Sequence, residues 1–90
     1  MKIDGIEIKN YDSFFKNFKG LMFKNHIDYG VRLRANGIHT FFMKQNIDVI
    51  LTDKNNNILY TYKNLGPNKI IWPKKHVYYT YELPAGTIKK

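Results

Sequence analysis

The stretch Ile47-Asp48-Val49-Ile50-Leu51-Thr52-Asp53-Lys54-Asn55-Asn56-Asn57-Ile58-Leu59-Tyr60-Thr61-Tyr62 decides the fold. Its first six residues are a nearly continuous run of β-branched and aliphatic side chains, the pattern of a strand buried on both faces. Residues 53–57 are wholly polar. Asn tolerates positive φ and bonds to its own backbone, so this segment predicts a turn. Residues 58–62 then return as the strand partner. A lone hairpin is marginal in water, so other strands must cover this one.

They are found on both sides. Downstream, residues 76–83 alternate strictly, with Val77, Tyr79, Tyr81 and Leu83 on one face and His76, Tyr78, Thr80 and Glu82 on the other. Gly66-Pro67 and Pro84-Ala85-Gly86 mark the breaks. Upstream, Val31 and Leu33 alternate with Arg32 and Arg34, Asn36-Gly37 reads as a tight turn, and residues 39–43 form a short apolar run. Residues 2–9 alternate less regularly and predict a further strand. Between them, Asp12 or Ser13 can cap a helix, Phe14, Phe15 and Phe18 fall on one helical face, and Gly20 suits its end. The expected fold is mostly β (α+β): a small curled antiparallel sheet or partly open barrel of five to six strands with one short N-terminal helix.

Composition bounds the rest. Ninety residues suit one domain, taken as residues 1–90. The absence of Cys excludes a disulfide framework, a thiolate zinc site and an iron–sulfur cluster. At 43% hydrophobic and 16% aromatic, the chain is too apolar to be disordered. No stretch approaches the roughly 20 apolar residues of a membrane-spanning helix, and the alternating N-terminus lacks the apolar centre of a signal peptide. The expected location is the cytoplasm, or outside it in a form whose leader lies beyond this sequence.

Fifteen Lys and Arg against seven Asp and Glu give a net charge of +8. Thirteen of the fifteen are Lys and Asn occurs ten times. Both residues have AT-rich codons, so the charge reads first as a solvated surface. Its alternative reading is a nucleic-acid face in which Tyr60, Tyr62 and Tyr78 stack bases while Lys63, Lys74 and Lys75 meet phosphates.

Four elements together resemble the domain of unknown function 192 family: Gly20-Leu21-Met22-Phe23, Ile38-His39-Thr40-Phe41-Phe42-Met43-Lys44, Ile47-Asp48-Val49-Ile50-Leu51-Thr52-Asp53 with the turn at Asn55 to Ile58, and Glu82-Leu83-Pro84-Ala85-Gly86-Thr87. They come in family order at family spacings. Asn46 stands where the family usually has Pro, Ala35 where many members have Cys, and most members continue beyond the Ala-Gly-Thr element into another short strand. The resemblance implies a small, mostly β domain of bacteria and archaea with no settled activity. Some members lie near pilus-assembly or secretion genes, which implies an envelope or assembly role.

The shared elements concentrate His39, Thr40, Met43, Asp48 and Asp53. If the short strands pair, His39 and Asp48 can meet, and a His–carboxylate pair can act as base and orienter or hold a metal, while a cleft of His39, Thr40, Met43 and Asp48 can hold a small polar ligand or a peptide end. The competing reading makes His39 a core residue and Asp48 a cap for backbone N–H groups at a turn. His26, His39 and His76 show no metal-ligand spacing, so no metal and no cofactor is expected. Ser13 is the only Ser and lies in no nucleophile motif. A non-enzymatic binding or assembly module with a cleft at His39, Thr40, Met43 and Asp48, serving a protein partner or small polar ligand, is therefore expected ahead of a nucleic-acid module, and both ahead of a small hydrolase.

Overall fold

The structure, a computed structural model, describes residues 2–3, 5–11 and 28–89. The hairpin forms as read: β5 (Ile47–Thr52) pairs antiparallel with β6 (Ile58–Leu65) across the polar turn. All six residues of β5 are buried. Its other neighbour is β8 (Tyr79–Pro84), also antiparallel, with Ile47 opposite Pro84 and Thr52 opposite Tyr79. Beyond β8 lies β3 (Gly30–Leu33), antiparallel, with Val31 opposite Glu82. Next to it comes β2 (Ile6–Tyr11), which forms a hairpin with β1 (Lys2–Ile3) across Gly5 at φ +82°. The order across the sheet is β1-β2-β3-β8-β5-β6. A separate antiparallel ribbon joins β4 (Ile38–His39) to β7 (Ile70–Ile71).

The period-two geometry of β5 and β8 sends their side chains to two cores. Ile47, Val49 and Leu51 pack with Val31, Met43, Ile71 and Val77 beneath the ribbon. Ile50, Tyr81 and Leu83 pack on the opposite side with Ile8. Each fully buried aliphatic side chain of this kind contributes about 1.5–3 kcal/mol. Gly30 has a packing reason: a Cβ there would lie 2.6 Å from Leu83 Cδ2 and 2.7 Å from Ile8 Cδ1.

Several expectations are corrected. The described sheet is mixed, because β2 and β3 run parallel. A parallel pair needs a connection of a dozen or more residues, and the sequence between Tyr11 and Gly30 is long enough for one. The sheet does not close into a barrel among the described residues, since β4 and β7 pair with each other instead of bridging its edges. Asn36-Gly37 makes no hairpin: β3 pairs with β8 and β4 with β7, and Asn36 is clamped to Lys74. Gly37 has φ +101° and lies against Pro73. The first predicted strand is two short ones. Of the His76, Tyr78, Thr80 and Glu82 face, His76 is exposed, whereas Thr80 and Glu82 are buried where β8 is flanked by β3 and β5. The expected helix at residues 12–20 lies outside the described residues, and no helix occurs among those described.

Candidate functional site

Asp48 sits on the side of β5 opposite the ribbon and is only 1% exposed. Three backbone amides donate to its carboxylate: Asn64 N–H to Oδ1 at 2.8 Å, and Gly86 and Ile88 N–H to Oδ2 at 3.1 and 2.8 Å. One side chain thus ties β6 and the turn after β8 to β5. A buried carboxylate is retained only when hydrogen-bonded in this way.

Thr40, also 1% exposed, plays the corresponding part for the ribbon. Its hydroxyl donates to the Gly66 carbonyl at 2.8 Å and accepts from Lys69 N–H at 2.8 Å. Its own amide donates to Lys69 O, and its carbonyl accepts from Asn68 and Met43 N–H. Met43 is buried in the core beneath the ribbon. Of the four residues expected at one cleft, His39 alone is exposed. Its Nδ1 accepts from Phe41 N–H at 3.2 Å and its ring stacks on Phe41 at 4.8 Å. No hydrogen bond joins it to Asp48 among the described residues.

The other end of β5 carries a different arrangement. Asp53 Oδ1 accepts from Asn55 and Asn57 N–H, each at 2.9 Å, and Oδ2 accepts from Asn57 Nδ2 at 3.0 Å. The Asn57 bonds come first among the causes that hold its carboxyl below the ordinary aspartate range, and the nearby His76 acts in the same direction. Asn56, at φ +65°, makes the turn and accepts from the Tyr81 hydroxyl at 2.6 Å. Opposite this turn the chain rises from the ribbon through Lys74, Lys75 and His76. His76 has φ +72°, and the amide of Tyr78 donates to Thr52 O at 2.8 Å. Between the two segments lies a cleft of about 490 Å³ lined by Asp53, Lys54, Asn55, Leu59, His76, Val77 and Tyr78. Leu59 reaches it because the β5–β6 ladder shifts register between Leu51 and Thr52.

Two cation–π pairs stand nearby: Lys74 Nζ lies 5.4 Å from the Tyr60 ring centroid and the Arg34 guanidinium 5.0 Å from that of Tyr78. The structure thus joins Tyr60 to Lys74 and places Tyr78 at the cleft, with exposed Lys75 beside them in the chain. Tyr62 packs half-buried against the core, and strand alternation sets Lys63 on the other side of β6 from it. Arg34 and Leu59 had no place in the sequence-derived site. The signal for Leu59 is a register shift, which no local pattern announces; Arg34 pairs with a tyrosine 44 positions away. No group of three or more His, Asp or Glu suited to a metal ion occurs among the described residues. No helix there is long and apolar enough to cross a membrane.

The sequence profile of the DUF192 family, described as uncharacterized ACR, matches residues 1–90. Curated relatives include a UPF0127 protein of Thermococcus sibiricus, 37% identical over 89 residues, and one of Thermococcus kodakarensis, 33% identical over 90. These alignments take in 90% and 92% of the chain but 56% and 57% of the relatives, so the chain spans little more than half their length. Among solved structures, a protein of unknown function from Novosphingobium aromaticivorans superposes with a TM-score of 0.75 at 13% identity, over 90% of this chain and 64% of that one. A Sinorhizobium meliloti protein described as a candidate transcription regulator gives 0.72 at 21%, over 93% and 70%. At these identities the likeness is one of fold.

Proposed function

Because the chain belongs to the uncharacterized DUF192 family, its function rests on its own geometry, and we propose that it is a non-enzymatic binding module. Its ligand site in this reading is the cleft between the Asp53 turn and the 76–78 segment. The observation that carries the proposal is the meeting of His76, in a backbone conformation that side chains rarely adopt, with a turn locked by Asp53. Strain of this kind persists where the surroundings over-determine it, and it gathers at binding sites. The cleft volume is within the roughly 300–1,000 Å³ of small-molecule sites. Lys54 and His76 line it, and Lys75 adjoins it. Asp53, the one acid among the described lining residues, has its carboxylate engaged by Asn55 and Asn57. A small polar ligand with an anionic group suits this balance. His39 lies on the ribbon and is assigned no part in the cleft.

The test is an amide NMR titration with a panel of small carboxylates and phosphates. Saturable shifts at Asp53, Asn55, Leu59, His76 and Tyr78 are expected, and His76→Ala should remove them while spectral dispersion persists. A panel that leaves these amides unmoved sinks the proposal.

The cation–π pairs favour a second reading, in which a nucleic-acid strand lies along Tyr60 and Tyr78 with its phosphates on Lys74 and Lys75. Short oligonucleotides would then shift Tyr60 as well as the cleft, with affinity falling steeply as salt rises.

A further inference from the structure

The ribbon has an outward side that neither core uses. Ile38 and Ile71, opposite each other, are turned toward the core, where Ile71 is buried. The next pair, His39 opposite Ile70, is on the other side, and both are exposed. Phe41 stacks on His39. Trp72 follows Ile70 by two positions, the spacing that keeps an extended chain on one face. It is 68% exposed, and Phe42, beside Phe41, is 64% exposed. Phe42 has φ +66°, a conformation bulky residues avoid, and the Met43 N–H bond to Thr40 O spans that turn. Phe42 is thus exposed on a turn whose backbone conformation is costly for a bulky residue.

The segments that carry this patch bear charge of one sign. Residues 35–47 and 58–78 supply Lys44, Lys63, Lys69, Lys74 and Lys75 and contain no Asp or Glu. Lys69 adjoins Ile70, Lys44 follows Met43, and Lys74-Lys75 follow Trp72-Pro73. The described acids are elsewhere: Asp48 and Glu82 are buried, Glu7 is on β2, Asp28 precedes β3, and Asp53 is held in its turn.

We infer that this side of the β4–β7 ribbon docks the protein on an anionic lipid surface. Charge complementarity selects an anionic partner, and side-chain shape selects a bilayer. Rings that stand two-thirds in water are wedges, whereas a peptide anchor needs a pocket to fill. Ile70, exposed on the same side as His39, offers a nucleobase no face to stack on. Aromatic side chains at headgroup depth, with lysines beside anionic lipids, are the usual elements of interfacial binding.

Trp72 is the only Trp in the chain, so its fluorescence reports on this surface alone. The experiment adds vesicles of phosphatidylglycerol and phosphatidylcholine, or of phosphatidylcholine alone, to the full chain and follows Trp72 emission and cosedimentation. Anionic vesicles are expected to shift the emission to the blue and to pellet the protein, less so as salt screens the lysines. Phosphatidylcholine alone should do neither. Lys44→Glu with Lys69→Glu should weaken binding by at least roughly twenty-five-fold, at about a fivefold loss for each lysine removed. Phe42→Asp, at an exposed position, should abolish it with the circular dichroism spectrum unchanged. Emission unmoved by anionic vesicles overturns the inference, as does undiminished binding by Phe42→Asp. A shift produced by oligonucleotides but not by vesicles overturns it in favour of nucleic acid. His76→Ala should bind vesicles normally, which separates this surface from the cleft.

Discussion

An aspartate closes each end of β5, and the two do different work. Asp48 collects amides 16, 38 and 40 positions away in the chain. Asp53 collects amides two and four positions away. The first fixes how distant strands meet, whereas the second shapes a turn the local sequence already favours. Burial separates them as sharply: Asp48 has no access to water that could replace its partners, while Asp53 is partly exposed. The same chemistry, a carboxylate receiving backbone N–H groups, is a tertiary staple in one place and the wall of a cleft in the other.

Asp48→Ala is the strongest way to break this contrast. It strands three part-buried N–H groups, two of them in the turn after β8, and an unsatisfied buried donor costs about 1–3 kcal/mol. A loss on the order of 4 kcal/mol is expected from urea denaturation, a large part of the stability of a small domain. A loss below about 1 kcal/mol would mean that the staple is not one. Gly30→Ala probes the same end through packing. Leu83 is opposite Asp48 in the ladder, and the new methyl would meet Leu83, Ile8 and the Glu82 carbonyl at 2.6, 2.7 and 3.1 Å. The side-chain ends can yield more easily than the carbonyl, so about 2 kcal/mol is expected in the same assay.

At the Asp53 end the effects are smaller and more local. Asn36 mimics a strand partner for Lys74: its Nδ2 donates to Lys74 O and its Oδ1 accepts from Lys74 N–H, both at 2.8 Å. Both groups are exposed, so water replaces much of what Asn36→Ala removes, and about 1 kcal/mol is the expected cost. The sharper readout is NMR. Amides 74–78 should shift and exchange faster while those of β5 stay protected; loss of protection in β5 would show that the two ends are not independent.

Legibility in the sequence divides along the same line. The β5–β6 hairpin was readable because its strand, turn and return are consecutive. The break at residues 84–86 and the short strand at residues 31–33 were readable for similar local reasons. The ribbon was not: β4 and β7 are two residues each, too short for any periodicity, and they are joined only through pairing over more than thirty positions. The parallel β2–β3 pair depends likewise on topology. Among site residues, Asp48 and Thr40 stood out as polar groups in apolar runs, but a sequence cannot say whether such a group faces a ligand or a backbone amide. The burial of Thr80 and Glu82 was not legible either, since strict alternation does not say whether one side of the sheet is bare. The cleft needed the register shift at Leu59 and the left-handed His76, and neither has a spacing that marks it.

The smallest effect is the most discriminating, because it isolates charge. Asp53 is held below the ordinary aspartate value of 3.8, chiefly by its bonds from Asn57. Its folded-state pKa is therefore lower than its unfolded one, and the unfolded chain takes up the proton first. The resulting stabilisation is fully present above the unfolded value and is lost as pH falls through the folded one. Asn at this position keeps an oxygen for the Asn55 and Asn57 amides but turns an amino group toward Asn57 Nδ2. Asp53→Asn should thus be slightly less stable than the native chain at pH 7, with the gap closing below pH 3.8 as the native carboxyl protonates. Urea midpoints measured at several pH values would show the two curves converging on the acid side. Parallel curves across that window would mean that the turn holds Asp53 by shape alone.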